Sequence, residues 1–298
     1  MPSMVDTSGA PALTSPAVVA VNSNTEQLEY WPMRRGGGDI PIRISPKGLF
    51  NGNALVANGR VISFANQNPA EVLQFNVDTK AQTTLPDPYG TPLDIAIGRD
   101  KSLYMVNLAG PPRADNVVWY PGGAPNPQLL SCSAIDYGSN VAVDNEGNVY
   151  VGGNLNGTIT VGVIRIPNGP NGPDPTRCKT LDLGLGEAGM EGVVVDPKTD
   201  DLVTLTNPDG CAGGVEGLMT IFPKPYRRET GVSHVVGQNC SFGLRLSADS
   251  KHVFVLDQSF AEVHQYVLQR SFPDGKPEAS YRAGHSGSVT TIPNTLPN

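Results

Sequence analysis

Residues 138–153 read GSNVAVDNEGNVYVGG. Two short runs of Val, Ala and Tyr flank the polar segment Asp144-Asn-Glu-Gly-Asn148. β-Branched and aromatic residues suit a pleated, half-buried strand. Asp and Asn bond their own backbone in turns, and Gly147 is free to take positive φ. The stretch therefore predicts a tight antiparallel hairpin. The same unit recurs along the chain. First strands are ALVA from Ala54, IAI from Ile95, VAV from Val141, VVV from Val193 and LRL from Leu244. Second strands are VVAV from Val18, VISF from Val61, LYMV from Leu103, VYVG from Val149, LVTL from Leu202 and VFVL from Val253. Third strands are LEYW from Leu28, VLQF from Val72, VVWY from Val117, VIRI from Val163, LMTI from Leu218 and VHQY from Val263.

Weaker fourth strands follow: IRIS, TTLP, PQLL, CKTLDL, SHVV and ASYR. Four antiparallel strands repeating every 42–55 residues predict an all-β fold, a six-bladed β-propeller with four-stranded blades. One first strand is missing from the count. Residues 288–292 at the C-terminus supply it, joining the N-terminal blade and closing the ring. The expected organisation is a flexible leader over 1–16, one propeller over 17–292 and a flexible tail over 293–298.

Composition agrees. The 298 residues include 34 Gly and 27 Pro, close to one in five, which breaks the chain at short intervals and leaves little room for long helices. Hydrophobic residues make up 39%, enough for a packed core. The net charge of −7 argues against nucleic acid and anionic membranes, which need clustered Lys and Arg. No apolar stretch approaches the roughly 20 residues of a membrane-spanning helix. MPSMVDTSGAPALTSP lacks the basic and apolar regions of a signal peptide, so the chain is either intracellular or begins after a removed signal.

The repeat, and residues 138–153 above all, resembles the six-bladed propellers of the NHL-like and SMP-30/gluconolactonase-like group. NVVWYPGGAPNP at 116–127 is similar to repeats of bacterial secreted propellers. The resemblance implies a ligand site at one mouth of the central channel. Aligning first strands places Asn53, Asp94, Asn140, Gly192 and Gly243 in one column there, with Gly52, Leu93, Ser139, Glu191 and Phe242 one position earlier. Asn53, Asp94, Asn140 and Glu191 offer hard oxygen ligands suited to Ca²⁺ or Mg²⁺. Lactonase-type propellers hold one divalent cation with a similar set, and Asn140 and Glu191-Gly192 resemble their motifs. His285, in the loop entering the closing blade, is the candidate general base for a metal-polarised water. Ser286 beside it lacks a G-x-S-x-G elbow.

A second polar column ends the second strands: Asn22, Asn66, Asn107, Asn154, Asn207 and Asp257. Its expected role is structural, capping exposed backbone. Among the four cysteines, Cys211 and Cys240 fall in loops on the mouth side of one blade, so a Cys211–Cys240 disulfide is expected. Cys132 and Cys178 are expected near opposite faces, too far apart to bridge. A disulfide implies an oxidising compartment, extracellular or periplasmic, with a cytoplasmic location still open.

Two readings follow. One is a monomeric binding or interaction module, taking a small molecule, glycan or protein at the channel mouth. The alternative is a divalent-metal-dependent hydrolase or lactonase of SMP-30-like type. A streptogramin-type lyase is a lesser alternative, since its repeated Leu-Trp-Phe-Thr-Glu motif is not found.

Overall fold

The computed structural model describes residues 16–22, 25–33, 42–44, 54–108, 116–155, 160–208, 216–236, 241–247, 249–257, 262–269, 274–282 and 289–292. Among them the chain forms a β-propeller of four-stranded antiparallel blades. From the innermost strand outward, sheet 1 is Val289–Ile292, Ala17–Asn22, Gln27–Pro32 and Ile42–Ile44. Sheet 2 is Ala54–Asn58, Val61–Gln67, Ala70–Asn76 and Gln82–Pro86. Sheet 3 is Thr91–Ile97, Leu103–Leu108, Asn116–Tyr120 and Gln128–Ser131. Sheet 4 is Ile135–Val143, Val149–Leu155, Val161–Ile166 and Lys179–Leu181. Sheet 5 is Gly189–Val195, Leu202–Asn207, Gly217–Phe222 and Val232–Val236. Sheet 6 is Ser241–Leu246, His252–Asp257, Glu262–Val267 and Ala279–Arg282.

The apolar core lies between sheets rather than inside one. Strand side chains alternate in direction, so a strand buried on both faces serves two neighbours. In Ala17–Asn22, Val19 and Val21 pack with Leu55, Phe64 and Phe75 of sheet 2. Val18 and Ala20 point the other way, onto Phe254, Leu256 and Tyr281 of sheet 6. Like clusters fill the interfaces of sheets 2 and 3, 3 and 4, 4 and 5, and 5 and 6. The innermost strands touch in the same cyclic order, and Val289–Ile292 pairs antiparallel with Ala17–Asn22.

A buried polar turn holds the first hairpin of sheet 4. Asp144 Oδ1 accepts from the backbone N–H groups of Glu146 (2.9 Å) and Asn148 (2.8 Å). Its Oδ2 accepts from Asn148 Nδ2 (2.7 Å) and Tyr150 Oη (2.9 Å). The carboxylate is consumed by the turn. Gly147 sits at φ +81°, and a Cβ there would lie 2.7 Å from Asn168 Nδ2.

One covalent link corrects the sequence reading. Cys132 and Cys178 form a disulfide, with Cα atoms 6.2 Å apart. Cys132 directly follows the outer strand of sheet 3, and Cys178 directly precedes the outer strand of sheet 4. Each strand is rotated by roughly 20–25° on its neighbour, so an outer strand is turned by about 60–75° from the innermost one. Assigning loops to opposite faces holds near the channel and fails at this rim, where the ends of adjacent outer strands meet. Cys211 and Cys240 lie outside the described residues.

Candidate functional site

The mouth is the end of the channel where the innermost strands begin. A β-bulge sits there in four of them. The pairing register shifts between Pro92 and Asp94, Gly138 and Asn140, Met190 and Gly192, and Phe242 and Leu244. A bulge adds one unpaired residue and re-aims the side chains around it. The bulged residues are therefore Leu93, Ser139, Glu191 and Gly243. Asp94, Asn140 and Gly192 follow their bulges in register, as expected. Gly243 holds the same place counted from the hairpin but is itself the bulge residue, at φ +59°, because the bulge of sheet 6 falls one residue nearer the hairpin.

The main feature of the channel lies two residues further along this strand. Leu244 pairs with Val255 as Ile95 pairs with Met105, so Arg245 matches Ala96, and it is buried. Its Nη2 donates to Asp94 Oδ1, forming an ion pair, and to the carbonyl of Ile95 (3.3 Å). Its Nε donates to the Leu55 carbonyl (3.4 Å), and its Nη1 to that of Leu244 (2.9 Å). Asp94 also accepts from the backbone N–H groups of Ile95 and Val141, each at 2.9 Å. One arginine and one aspartate thus tie the innermost strands of sheets 2, 3, 4 and 6 across the channel. The matching positions in sheets 3, 4 and 5 carry Ala96, Ala142 and Val194, so an arginine between Leu244 and Leu246 was the available signal.

The other nominated residues stand apart from this pair. Asn140 is half-buried, and its Oδ1 accepts from Ser139 Oγ at 2.9 Å. Ser139 Oγ also reaches the Met190 carbonyl at 3.0 Å, joining sheets 4 and 5 beside Glu191. Glu191 is half-buried, and burial pushes its carboxyl up to about 7, while a hydrogen bond from Asn207 opposes the shift. It has no ion-pair partner among the described residues. Its charge reaches the phenol of Tyr137, whose pKa is raised by burial and then by Glu191. Among the described residues, no three His, Cys, Asp or Glu side chains gather as a metal site. The carboxylate–carboxamide set fits a divalent cation only if Asp94 gives up Arg245. Asn53 and His285 lie outside the described residues.

The second polar column links neighbouring blades. Asn107 Nδ2 donates to Asp87 Oδ2 (2.7 Å), in the connection from sheet 2 to sheet 3. Asn207 Nδ2 donates to the carbonyl of Ser241, the first residue of sheet 6 (2.9 Å). The rim around the mouth is partly apolar. Tyr89 precedes Thr91–Ile97, Leu108 ends Leu103–Leu108, and Tyr137 lies near the start of Ile135–Val143. Their exposures are 36%, 38% and 40%, high for large hydrophobic residues.

A family model described as a beta-propeller repeat matches residues 133–159, the segment containing the decisive hairpin. No curated protein matches the chain. Among solved structures, a chain in a nidogen/laminin complex is similar at 12% identity and TM-score 0.71, covering 94% of this chain and 100% of that one. A putative 6-phosphogluconolactonase from Bacteroides uniformis is similar at 11% identity and TM-score 0.58, covering 93% and 99%. The hydrazine synthase of Kuenenia stuttgartiensis matches at 14% identity and TM-score 0.57, covering 85% and 73%. At these identities the likeness establishes the β-propeller architecture.

Proposed function

We propose that the protein is an extracellular or periplasmic binding module that engages a small molecule, glycan or protein partner through its mouth face. In this reading the six sheets are the blades of one closed ring of the NHL-like and SMP-30-like group, with Val289–Ile292 as the closing strand. The observation that carries the reading is a contrast. The channel is crossed by the Arg245–Asp94 pair, whereas the mouth side exposes Tyr89, Leu108 and Tyr137, the last beside the half-buried Glu191. Exposed apolar groups rimmed by polar ones mark interaction surfaces. The Cys132–Cys178 disulfide supports an oxidising compartment. No helix among the described residues is long and apolar enough to cross a membrane.

The test compares partner binding by three proteins: wild type, a mouth variant (Leu108→Ser with Tyr137→Ser) and a control on the opposite face, Lys224→Ala. Binding should fall at least tenfold in the mouth variant alone. Equal binding by all three removes the reading. A melting series in EDTA, Ca²⁺ and Mg²⁺ addresses the metal-dependent hydrolase alternative, because an ion bound only by the folded chain raises stability. A rise with one ion, abolished by Glu191→Gln, would favour that alternative.

A further inference from the structure

The end of the channel opposite the mouth holds a chamber of about 120 Å³. Arg245 forms part of its wall, and Ile97, Val143, Val195 and Leu246 are the half-exposed apolar groups around it. They come from the ends of the innermost strands of sheets 3, 4, 5 and 6. Engineered apolar cavities of about 150 Å³ hold benzene, so a single ring or a short branched chain is the right scale.

One cation stands at the opening. Arg99, exposed in the hairpin after Thr91–Ile97, lines the chamber and takes part in none of the ion pairs among the described residues. The acidic groups nearby are occupied. Asp144 accepts four hydrogen bonds within its own turn. Asp100 accepts from the backbone N–H (3.0 Å) and Oγ (2.6 Å) of Ser102. Arg245 has its charge met by Asp94. Arg99 thus leaves an uncompensated guanidinium beside an apolar cup, and guanidinium groups bind carboxylates bidentately.

We propose that this chamber binds a small apolar carboxylic acid, aromatic or branched, with its hydrocarbon among the Val, Ile and Leu side chains and its carboxylate on Arg99. The site is separate from the mouth face and does not depend on that reading. Entry is from the hairpin side, because the Arg245–Asp94 pair crosses the channel above it.

The full chain is titrated with benzoate while the backbone amides of Ile97, Val143 and Val195 are followed by NMR. Benzamide matches its shape without the charge, and acetate carries the charge without the ring. Benzoate should move those amides saturably, with benzamide and acetate each at least fivefold weaker. Arg99→Gln, an exposed substitution that spares the core, should weaken benzoate about tenfold. Val143→Phe, checked for native circular dichroism, fills the chamber and should abolish the response. Amides unmoved by millimolar benzoate overturn the proposal. So does benzoate binding unchanged by both substitutions, or benzamide binding as tightly as benzoate.

Discussion

Asp94 and Glu191 sit at two bulges of the same kind, one just after its bulge residue and the other on it, and they have opposite surroundings. Asp94 is 4% exposed and meets Arg245 and two backbone N–H groups. Glu191 keeps partial contact with solvent, takes one hydrogen bond from Asn207, and has no cation beside it among the described residues. A one-residue difference around a bulge, together with one arginine from another blade, separates a structural tie from a titratable group. Neighbours set the role of a carboxylate, not its place in an aligned column.

Removing Arg245 should give the largest effect. Arg245→Met leaves Asp94 buried without its counter-ion and should cost about 3–5 kcal/mol in urea unfolding. Adding Asp94→Asn should recover much of that loss, since it removes the stranded charge. A double variant no more stable than Arg245→Met would mean that the arginine acts through packing and its carbonyl contacts instead. Next comes the outer rim. Cys132→Ser opens the link between sheets 3 and 4 and should cost about 2–4 kcal/mol. Dithiothreitol should destabilise wild type by at least that amount and bring it close to the Cys132→Ser protein measured in the same reductant.

Glu191 should show itself through pH. Its folded-state pKa of about 7 lies above its ordinary value of 4.5. Between those values the folded chain holds more protons than the unfolded one. This group's contribution is therefore full below about pH 4.5 and is lost as pH rises through 7. Glu191→Gln should remove that slope and stabilise the protein at pH 8 by about 1 kcal/mol. A pH–stability curve identical to wild type between 5 and 8 would show that the carboxylate is solvated and its shift small.

The strand repeat was legible because each blade writes its own pattern locally: β-branched runs, an Asp- or Asn-rich turn such as 144–148, and an aromatic residue closing the third strand. The channel was not legible, because bulges change the count between positions without marking the sequence. In sheet 6 the bulge falls at Gly243 rather than at Phe242, and the partner of Asp94 is Arg245, two residues beyond the aligned column and on another blade. The Cys132–Cys178 bridge escaped for a related reason. Twist accumulates from strand to strand, so faces inferred near the axis do not carry to the rim. Glu191 was legible as a mouth residue, but its environment depends on Tyr137 and Asn207, which come from different strands.

The smallest effect sharpens the same comparison from the outside. Lys224 Nζ lies 3.0 Å from Glu146 and 3.4 Å from Asp200, drawing together the first hairpins of sheets 4 and 5. In number of charges it exceeds the Arg245–Asp94 pair. Its side chain is 39% exposed, however, and Glu146 is 59% exposed, so water already solvates both ions. The Coulomb gain in high dielectric is nearly matched by the entropy of fixing two long side chains. Lys224→Ala should therefore cost less than about 1 kcal/mol at low salt, and the difference should shrink toward zero near 1 M NaCl, where the screening length is about 3 Å. Arg245→Met, by contrast, should keep most of its penalty at the same salt concentration, because ions do not enter the channel wall. If both penalties fell equally with salt, the Arg245–Asp94 pair would be as wet as the surface one, and its role as the tie across the channel would be lost.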